Sequence, residues 1–575
     1  MVLCWLIMKT TLINLKQLLL ERSIPLYLSS FDYYLNEYVP KHDNLRLIVS
    51  GFTGSVAEMV VFPDRKAWLF VDGRYHEQAD LEVDHELIEV VKVPYGTALS
   101  KALFEKAQAE KIKDILFIPE RTSVQLMNQL ADTFQIHPMK SSEIEKLLSW
   151  KPEAESRDLY TLTNGEMGEN TVERLDRLFD EVSGFWTCAL DSIAWLSGLR
   201  GFQLPFQATF RSYAFATKKK LFIFTSDKNA KDIKALNRPE LSVHAMDEIE
   251  SVLVKSKGEI QKVGFDPSRT NAHCYALIRK VFDVEFNSLP GFLIKEMSKK
   301  NQKEIEHFRA AFERSDRAIT KSLRWLKETV GDVSELQWNS KTSEFYQSEG
   351  MLEHSFKTIS GFGENGSIIH YSTPSSKRLL KAGDVCLLDS GAFYRDGYAT
   401  DCTRTVLGRG DEATTEQKKQ YTMVLKSLLA AMFAQFKEGT IGKEIDAIAR
   451  APMIAEGLNY AHGTGHGVGI NVHEGGYSIT PFSEVPLLPN RVGSLEPGIY
   501  LPGIGGVRLE NVVVVEKLND EGLCGFTSLC YIGFDADLVD MDLLNDVEKT
   551  QLKSYEEKCA QKGRSFGVLE RFFSA

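Results

Sequence analysis

The sequence predicts a multidomain α/β and α+β protein: two smaller, related α/β domains over 1–160 and 161–300, then a larger α+β domain over 301–575. Three observations point there. At 575 residues the chain is too long for one domain by the ~150-residue prior. Residues 59–75 ("MVVFPDRKAWLFVDGRY") and 213–228 ("YAFATKKKLFIFTSDK") each read as two strands around a polar turn, which suggests a duplicated unit. From about Lys299 the style changes: a long helical stretch opens, and five of the twelve histidines fall between His354 and His473.

Taken in order, "LRLIVSGFTGS" reads as an apolar strand ending in glycine turns, and "DGRYHEQA" as a strand end and helix start. The polar "LLSWKPEAESRD", 147–158, is a boundary candidate. "TCALDSIAWLSGLRG" gives strand, helix and glycine turn. "NQKEIEHFRAAFERSDRAITKSLRWLKETV" carries apolar residues at helical spacing.

Composition narrows the function. Charged residues at 26% and apolar ones at 43% are ordinary for a soluble globular protein. A net charge of −11 argues against a nucleic-acid surface, which needs a basic footprint; Lys218, Lys219 and Lys220 read as a solvated turn. Eight cysteines without a CxxC pair indicate neither a disulfide framework nor a zinc ribbon, and fit reduced thiols in a cytoplasm. The apolar run 2–8 is far shorter than a ~20-residue span and lacks signal-peptide flanks, so no membrane association is expected. Met8 begins a more conventional start, which reads residues 1–7 as an over-extended one.

The chemistry concentrates in a few stretches. In "VCLLDSGAFYRDGYATDCTRTVLG" a buried-type strand ends in Asp389, and a second strand carries Asp401. A two-residue Asp-Gly turn between them puts the carboxylates on opposite sheet faces; a three-residue turn with Gly397 left-handed pairs Tyr394 with Tyr398 and makes them diagonal neighbours within ~7–8 Å. A joint site requires the odd-length turn. "VGSLEPGIY" then presents Glu496, and "GGVRLENVVVV" presents Glu510. Acids in strands this apolar need cations, and the nearby bases Arg404 and Arg508 are too few and free to serve elsewhere. Two divalent ions would balance four carboxylates and leave a bridging hydroxide as nucleophile.

"YAHGTGHGVGINVHEGG", 460–476, gathers three histidines among closely spaced glycines. His466 offers a neutral nitrogen ligand, and its glycines would let the strand approach the metals. The oxygen-rich set makes Mn²⁺ the first choice, with Co²⁺ or Zn²⁺ allowed by the imidazole. "GTGHGVG" lacks the Lys-Ser/Thr ending and following helix of a phosphate loop. Cys386 and Cys402 flank site residues and are assigned to packing.

These residues resemble the pita-bread metallopeptidases, the group that contains methionine aminopeptidase, prolidase and aminopeptidase P. The motifs "IIHYST", "LLDSGAFY", "DGYATDCTRT", "HGTGHGVG", "NVHEGG", "LEPGIY" and "VRLEN" stand in family order. "VSGFTGS", "DGRYHEQA" and "DSIAWLSGLRG" extend the likeness to three-domain members, whose two N-terminal domains are creatinase-like. The resemblance implies Asp389 on one metal, His466 and Glu496 on the other, and Asp401 and Glu510 bridging. It also implies that His370, His462 and His473 contact substrate and the tetrahedral intermediate, with Arg508 beside Glu510. Tyr398-Ala399 before Asp401 and Ser494-Leu495 before Glu496 depart from the usual family pattern without removing a ligand.

The expected activity is a cytoplasmic, homodimeric, metal-dependent aminopeptidase that hydrolyses the N-terminal bond of peptides with proline second, Glu496 shuttling the proton. Prolidase is the nearest alternative. A metal-free hydrolase of the creatinase kind would lack carboxylate ligands that are all present here, and the complete ligand set also speaks against an inactive binding module.

Overall fold

The computed structural model describes residues 2–147, 157–179, 182–409 and 412–574. The boundary candidate at 147–158 lies mostly outside them. Two compact units divide the chain, Met1–Leu293 and Ile294–Ala575. Among the described residues no helix is long and apolar enough to cross a membrane.

The first unit holds two six-stranded sheets. The strands of one are β1 (Leu26–Leu28), β2 (Glu58–Val61), β3 (Ala67–Val71), β4 (Ile88–Lys92), β5 (Asp114–Phe117) and β6 (Gln135–Pro138), in the order β4-β3-β2-β1-β5-β6. The other uses β7 (Gly184–Thr187), β8 (Ser212–Ala216), β9 (Leu221–Thr225), β10 (Leu241–Ala245), β11 (Lys262–Phe265) and β12 (Glu285–Ser288), in the order β10-β9-β8-β7-β11-β12. In both, the first three strands pair antiparallel as a meander and the outer ones join in parallel. The two hairpins expected from sequence, β2–β3 and β8–β9, occupy the same place in each sheet. Equivalent loops also meet: Val124 N donates to Thr270 O at 2.9 Å, and Ala272 N donates to Thr122 O at 2.8 Å.

One expected strand is a helix. Leu45–Ser50 forms α1, because Asn44 caps its start by accepting from Leu47 N at 2.9 Å and Gly51 ends it left-handed at φ 78°. Arg46, buried inside it, donates to the carbonyls of Phe52 and Gly54, which ties down the loop that follows. The β-branched pair Ile48-Val49 suggested extension; the two caps decided otherwise. "DGRYHEQA" behaves as expected, with α2 at His76–Glu82, and so does "DSIAWLSG", with α3 at Leu190–Ser197 closed by left-handed Gly198.

The second unit opens on α4, Gln302–Glu328, started by a capping box in which Asn301 and Glu304 exchange hydrogen bonds of 2.9 Å. Next come α5 (Glu335–Ser348) and a three-stranded antiparallel sheet of β13 (Ile359–Phe362), β14 (Val385–Ser390) and β15 (Cys402–Leu407). Helices α6 (Thr415–Met432) and α7 (Gly442–Ile454) pack beside a six-stranded sheet. Its strands are β16 (Phe436–Lys437), β17 (Gly465–Gly467), β18 (Glu474–Ile479), β19 (Val492–Leu495), β22 (Asn511–Lys517) and β23 (Leu523–Ser528), in the order β16-β23-β22-β19-β17-β18. Between β19 and β22 lies the pair β20 (Gly498–Leu501) and β21 (Gly505–Arg508). Helix α8 (Asp546–Gln561) follows. The core of this unit is built from α6, α7 and the inner faces of β19, β21 and β22.

Candidate active site

The hairpin register decides whether the two aspartates can meet. Phe393 faces Ala399, Gly397 stands left-handed at φ 72°, and Asp389 faces Thr403 across β14–β15. That register leaves three residues in the turn, so Asp389 and Asp401 project from the same face. The odd-length turn is the one the chain adopts.

His466 sits in the middle of β17, where the pairing with β18 shifts between His466 and Gly467. Such an irregularity re-aims a side chain. Its Nε2 lies 3.5 Å from Asp401 Oδ2 and 3.4 Å from Glu496 Oε1. Asp401, His466 and Glu510 bring one ligand atom each to within 4.8 Å of one another. The glycines beside His466 let neighbouring strands come close. A Cβ on Gly465 would lie 1.9 Å from Ser494 O, and one on Gly467 2.3 Å from Glu474 O.

The carboxylates crowd one another. Burial, then the charges of Glu510, Asp389 and Glu496, push the Asp401 carboxyl well above the usual range. Burial, then Glu496 and Asp389, does the same to Glu510. Burial pushes Glu496 up to about 7, with Arg508 opposing and Asp389 adding. One guanidinium, that of Arg508, faces four carboxylates, so the cluster is short of positive charge. Asp389 Oδ1 and Glu510 Oε1 are buried and meet no hydrogen-bond donor among the described residues. Oxygen atoms left open in this way, with one imidazole among them, fit hard or borderline divalent cations.

Arg508 departs from its expected neighbour. Its Nη2 donates to Asp389 Oδ2 at 2.7 Å, its Nε to Thr403 Oγ1 at 3.1 Å, and its Nη1 to Tyr500 OH at 2.9 Å. Thr403 in turn donates to Glu510 Oε2 at 2.9 Å, so Arg508 reaches Glu510 only through that hydroxyl. Arg404, by contrast, does serve elsewhere, bonding Ile532 O, Asn511 Oδ1 and Tyr555 OH.

The three other histidines lie around this centre. The His473 ring stands 4.3 Å from the His466 ring at 80°. His462 Nε2 meets Tyr500 OH at 2.9 Å, which links it through Arg508 to Asp389. His370 lies one residue after Ile369, whose carbonyl accepts from Arg508 Nη1 at 3.3 Å. Eight of the nine residues singled out from sequence are linked by these contacts, and the ninth, His370, follows a residue whose carbonyl Arg508 holds.

Sequence reading missed Tyr500 and Thr403, and took Ser494 only as a departure from the family pattern. Ser494 accepts from His466 N at 3.0 Å and donates to Glu496 Oε1 at 3.2 Å, so this family departure still joins two site residues. Each stands inside or next to a quoted motif, but a lone hydroxyl carries no signal of its own. Cys188, Cys274, Cys386, Cys402, Cys524, Cys530 and Cys559 are free and buried; Cys386 and Cys402 pack in the core beside the site.

Residues 306–517 match metallopeptidase family M24, and residues 150–304 match the creatinase/prolidase N-terminal domain. A probable Xaa-Pro aminopeptidase P of Metarhizium acridum is 30% identical over 600 residues, covering 96% of this chain and 96% of the relative. Another, of Pyrenophora teres f. teres, is 30% identical over 591 residues, covering 96% and 89%. The solved X-prolyl aminopeptidase from Caenorhabditis elegans, described as a cytosolic enzyme with a di-nuclear active site, matches with a TM-score of 0.85. It is 26% identical over 96% of this chain and 93% of its own. The Xaa-Pro dipeptidase from Bacillus anthracis matches at a TM-score of 0.53 and 27% identity, over 62% of this chain and 96% of its own.

Fold and matches together define a pita-bread metallopeptidase carrying creatinase-type N-terminal domains. The chain belongs to metallopeptidase family M24, in the group of the Xaa-Pro aminopeptidases.

Proposed function

We propose that the protein removes the N-terminal residue from peptides whose second residue is proline, using two divalent metal ions. The observation that carries this reading is the convergence of Asp389, Asp401, His466, Glu496 and Glu510, with buried carboxylate oxygens that no protein donor meets. Its substrate class rests on the relatives, which bear the name Xaa-Pro aminopeptidase along nearly their whole length.

In this reading Asp389, Asp401, His466, Glu496 and Glu510 would hold the two ions. Such ions, when bound, polarise a carbonyl and lower the pKa of a nearby water. Glu496 carries the water proton to the leaving nitrogen. His370, His462 and His473 hold the peptide and stabilise negative charge on the carbonyl oxygen. Arg508 orients Asp389 through its charge-assisted bond. Proline accounts for a dedicated enzyme, since its nitrogen has no N–H to offer an ordinary peptidase.

The same reading takes Mn²⁺ as the ion, the cytoplasm as the compartment, a homodimer as the assembly, and 1–160, 161–300 and 301–575 as the domains. The repeated strand order of the two N-terminal sheets supports that division. The test is release of the first residue from Xaa-Pro-Xaa peptides before chelation, after it, and after Mn²⁺ is restored. Activity lost on chelation, regained with Mn²⁺ and largely lost when alanine replaces proline is expected. Hydrolysis that survives chelation, or ignores proline, would remove the reading.

A further inference from the structure

Glu335 is fully buried at the first position of α5. An acid at a helix start gains from the helix dipole without being buried at all, so its burial needs another reason. A buried carboxylate is tolerated when donors satisfy it. Four do: Phe362 N and Asn365 Nδ2 each reach Oε1 at 2.9 Å, and Tyr371 OH at 2.6 Å and Ser375 N at 2.9 Å reach Oε2. None is a basic side chain.

All four donors come from residues 362–375, and His370 lies inside that span. After a short 3₁₀ turn at Gly363–Ser367 the chain forms no helix or strand until Val385, so little regular structure fixes this segment. Glu335 ties both of its halves to the end of one helix. On the other side Arg508 Nη1 holds Ile369 O at 3.3 Å. The residues flanking His370 are therefore anchored from two directions, at Tyr371 by Glu335 and at Ile369 by Arg508.

We propose that Glu335 is a positioning residue for catalysis, which acts by fixing the segment that presents His370 to the peptide. This rests on the proposed role of His370 as a substrate contact. A side chain held at the wrong distance costs rate even when its own chemistry is intact.

The test is a double-mutant cycle read in kcat, KM and bound metal per chain on the full-length protein. E335Q keeps the shape of the side chain and one acceptor oxygen but loses the acceptor for two donors. It should lower kcat about tenfold to a hundredfold with metal content unchanged. In an H370A background the same substitution should cost less than about twofold, because the group it positions is already gone. Should E335Q fail to fold, Y371F removes one hydroxyl and runs the same cycle with a smaller expected loss. An E335Q loss that is equal in both backgrounds, absent, or accompanied by lost metal overturns the proposal. An H370A protein with the parent rate overturns the role of His370 first, and the proposal with it.

Discussion

His466 and His473 present their rings to each other at 4.3 Å, and His466 Nε2 lies 3.5 Å from Asp401 and 3.4 Å from Glu496. His466 is re-aimed by the irregular pairing of β17 and β18, while His473 stands just before β18 begins. Replacing His466 by alanine should therefore lower the metal bound per chain. Replacing His473 should leave the metal in place and lower kcat by ~10²–10³, the usual cost of a lost transition-state donor. Metal analysis of the two purified variants beside their kinetics is the measurement, and equal metal loss in both would erase the distinction. At this scale the candidate ligands were legible because acids inside apolar strands are conspicuous. Arg508 was placed one neighbour away, since its link to Asp389 joins strands whose proximity only the fold supplies. Thr403 escaped notice, and Ser494 was noted only as a family departure, because hydroxyls are common in strands and gain meaning only from what they touch.

Among the elements, the hairpin between β14 and β15 was the most readable, because turn length and side-chain parity leave two registers and only one joins the aspartates. Helix α1 was misread, since a six-residue run with four apolar residues, flanked by capping signals, looks the same as a short strand. Helix α8 hides a titrating group that its charged sequence disguises. Glu556 is fully buried, accepts from Phe534 N at 2.7 Å through Oε1, and has an Oε2 that meets no donor. Burial pushes its carboxyl up to about 7, against opposition from the Phe534 amide and Arg404. That is above the ~4.3 of an unfolded chain, so the folded state binds the proton more tightly. The stabilisation is complete below pH ~4.3 and disappears as pH rises through about 7, a loss on the order of 3 kcal/mol. Glu556→Gln keeps the acceptor for Phe534 N and cannot ionise. Its denaturation midpoint should gain on the parent between pH 5 and pH 8, and a pH-independent difference would sink this account.

For the whole molecule, length spoke first: 575 residues leave room for one α/β domain beyond what a dipeptidase of this class carries. The Bacillus anthracis dipeptidase fits that expectation, since nearly all of it is accommodated in 62% of this chain. The chain carries two six-stranded sheets of the same strand order, a repeat that sequence hinted at only through two similar hairpins. The motifs around the ligands cannot separate the two activities, as both cleave before proline with the same chemistry. What separates them lies beyond the proline: a dipeptidase must cap a free carboxylate there, whereas an aminopeptidase must leave room for more chain. Similarity to aminopeptidases over 96% of the sequence favours the second. Xaa-Pro-Xaa tripeptides and longer peptides should therefore be cleaved with a higher kcat/KM than Xaa-Pro dipeptides. Side-by-side rates for Gly-Pro and Arg-Pro-Pro under saturating Mn²⁺ measure this, and faster hydrolysis of the dipeptide would move the protein to the prolidases.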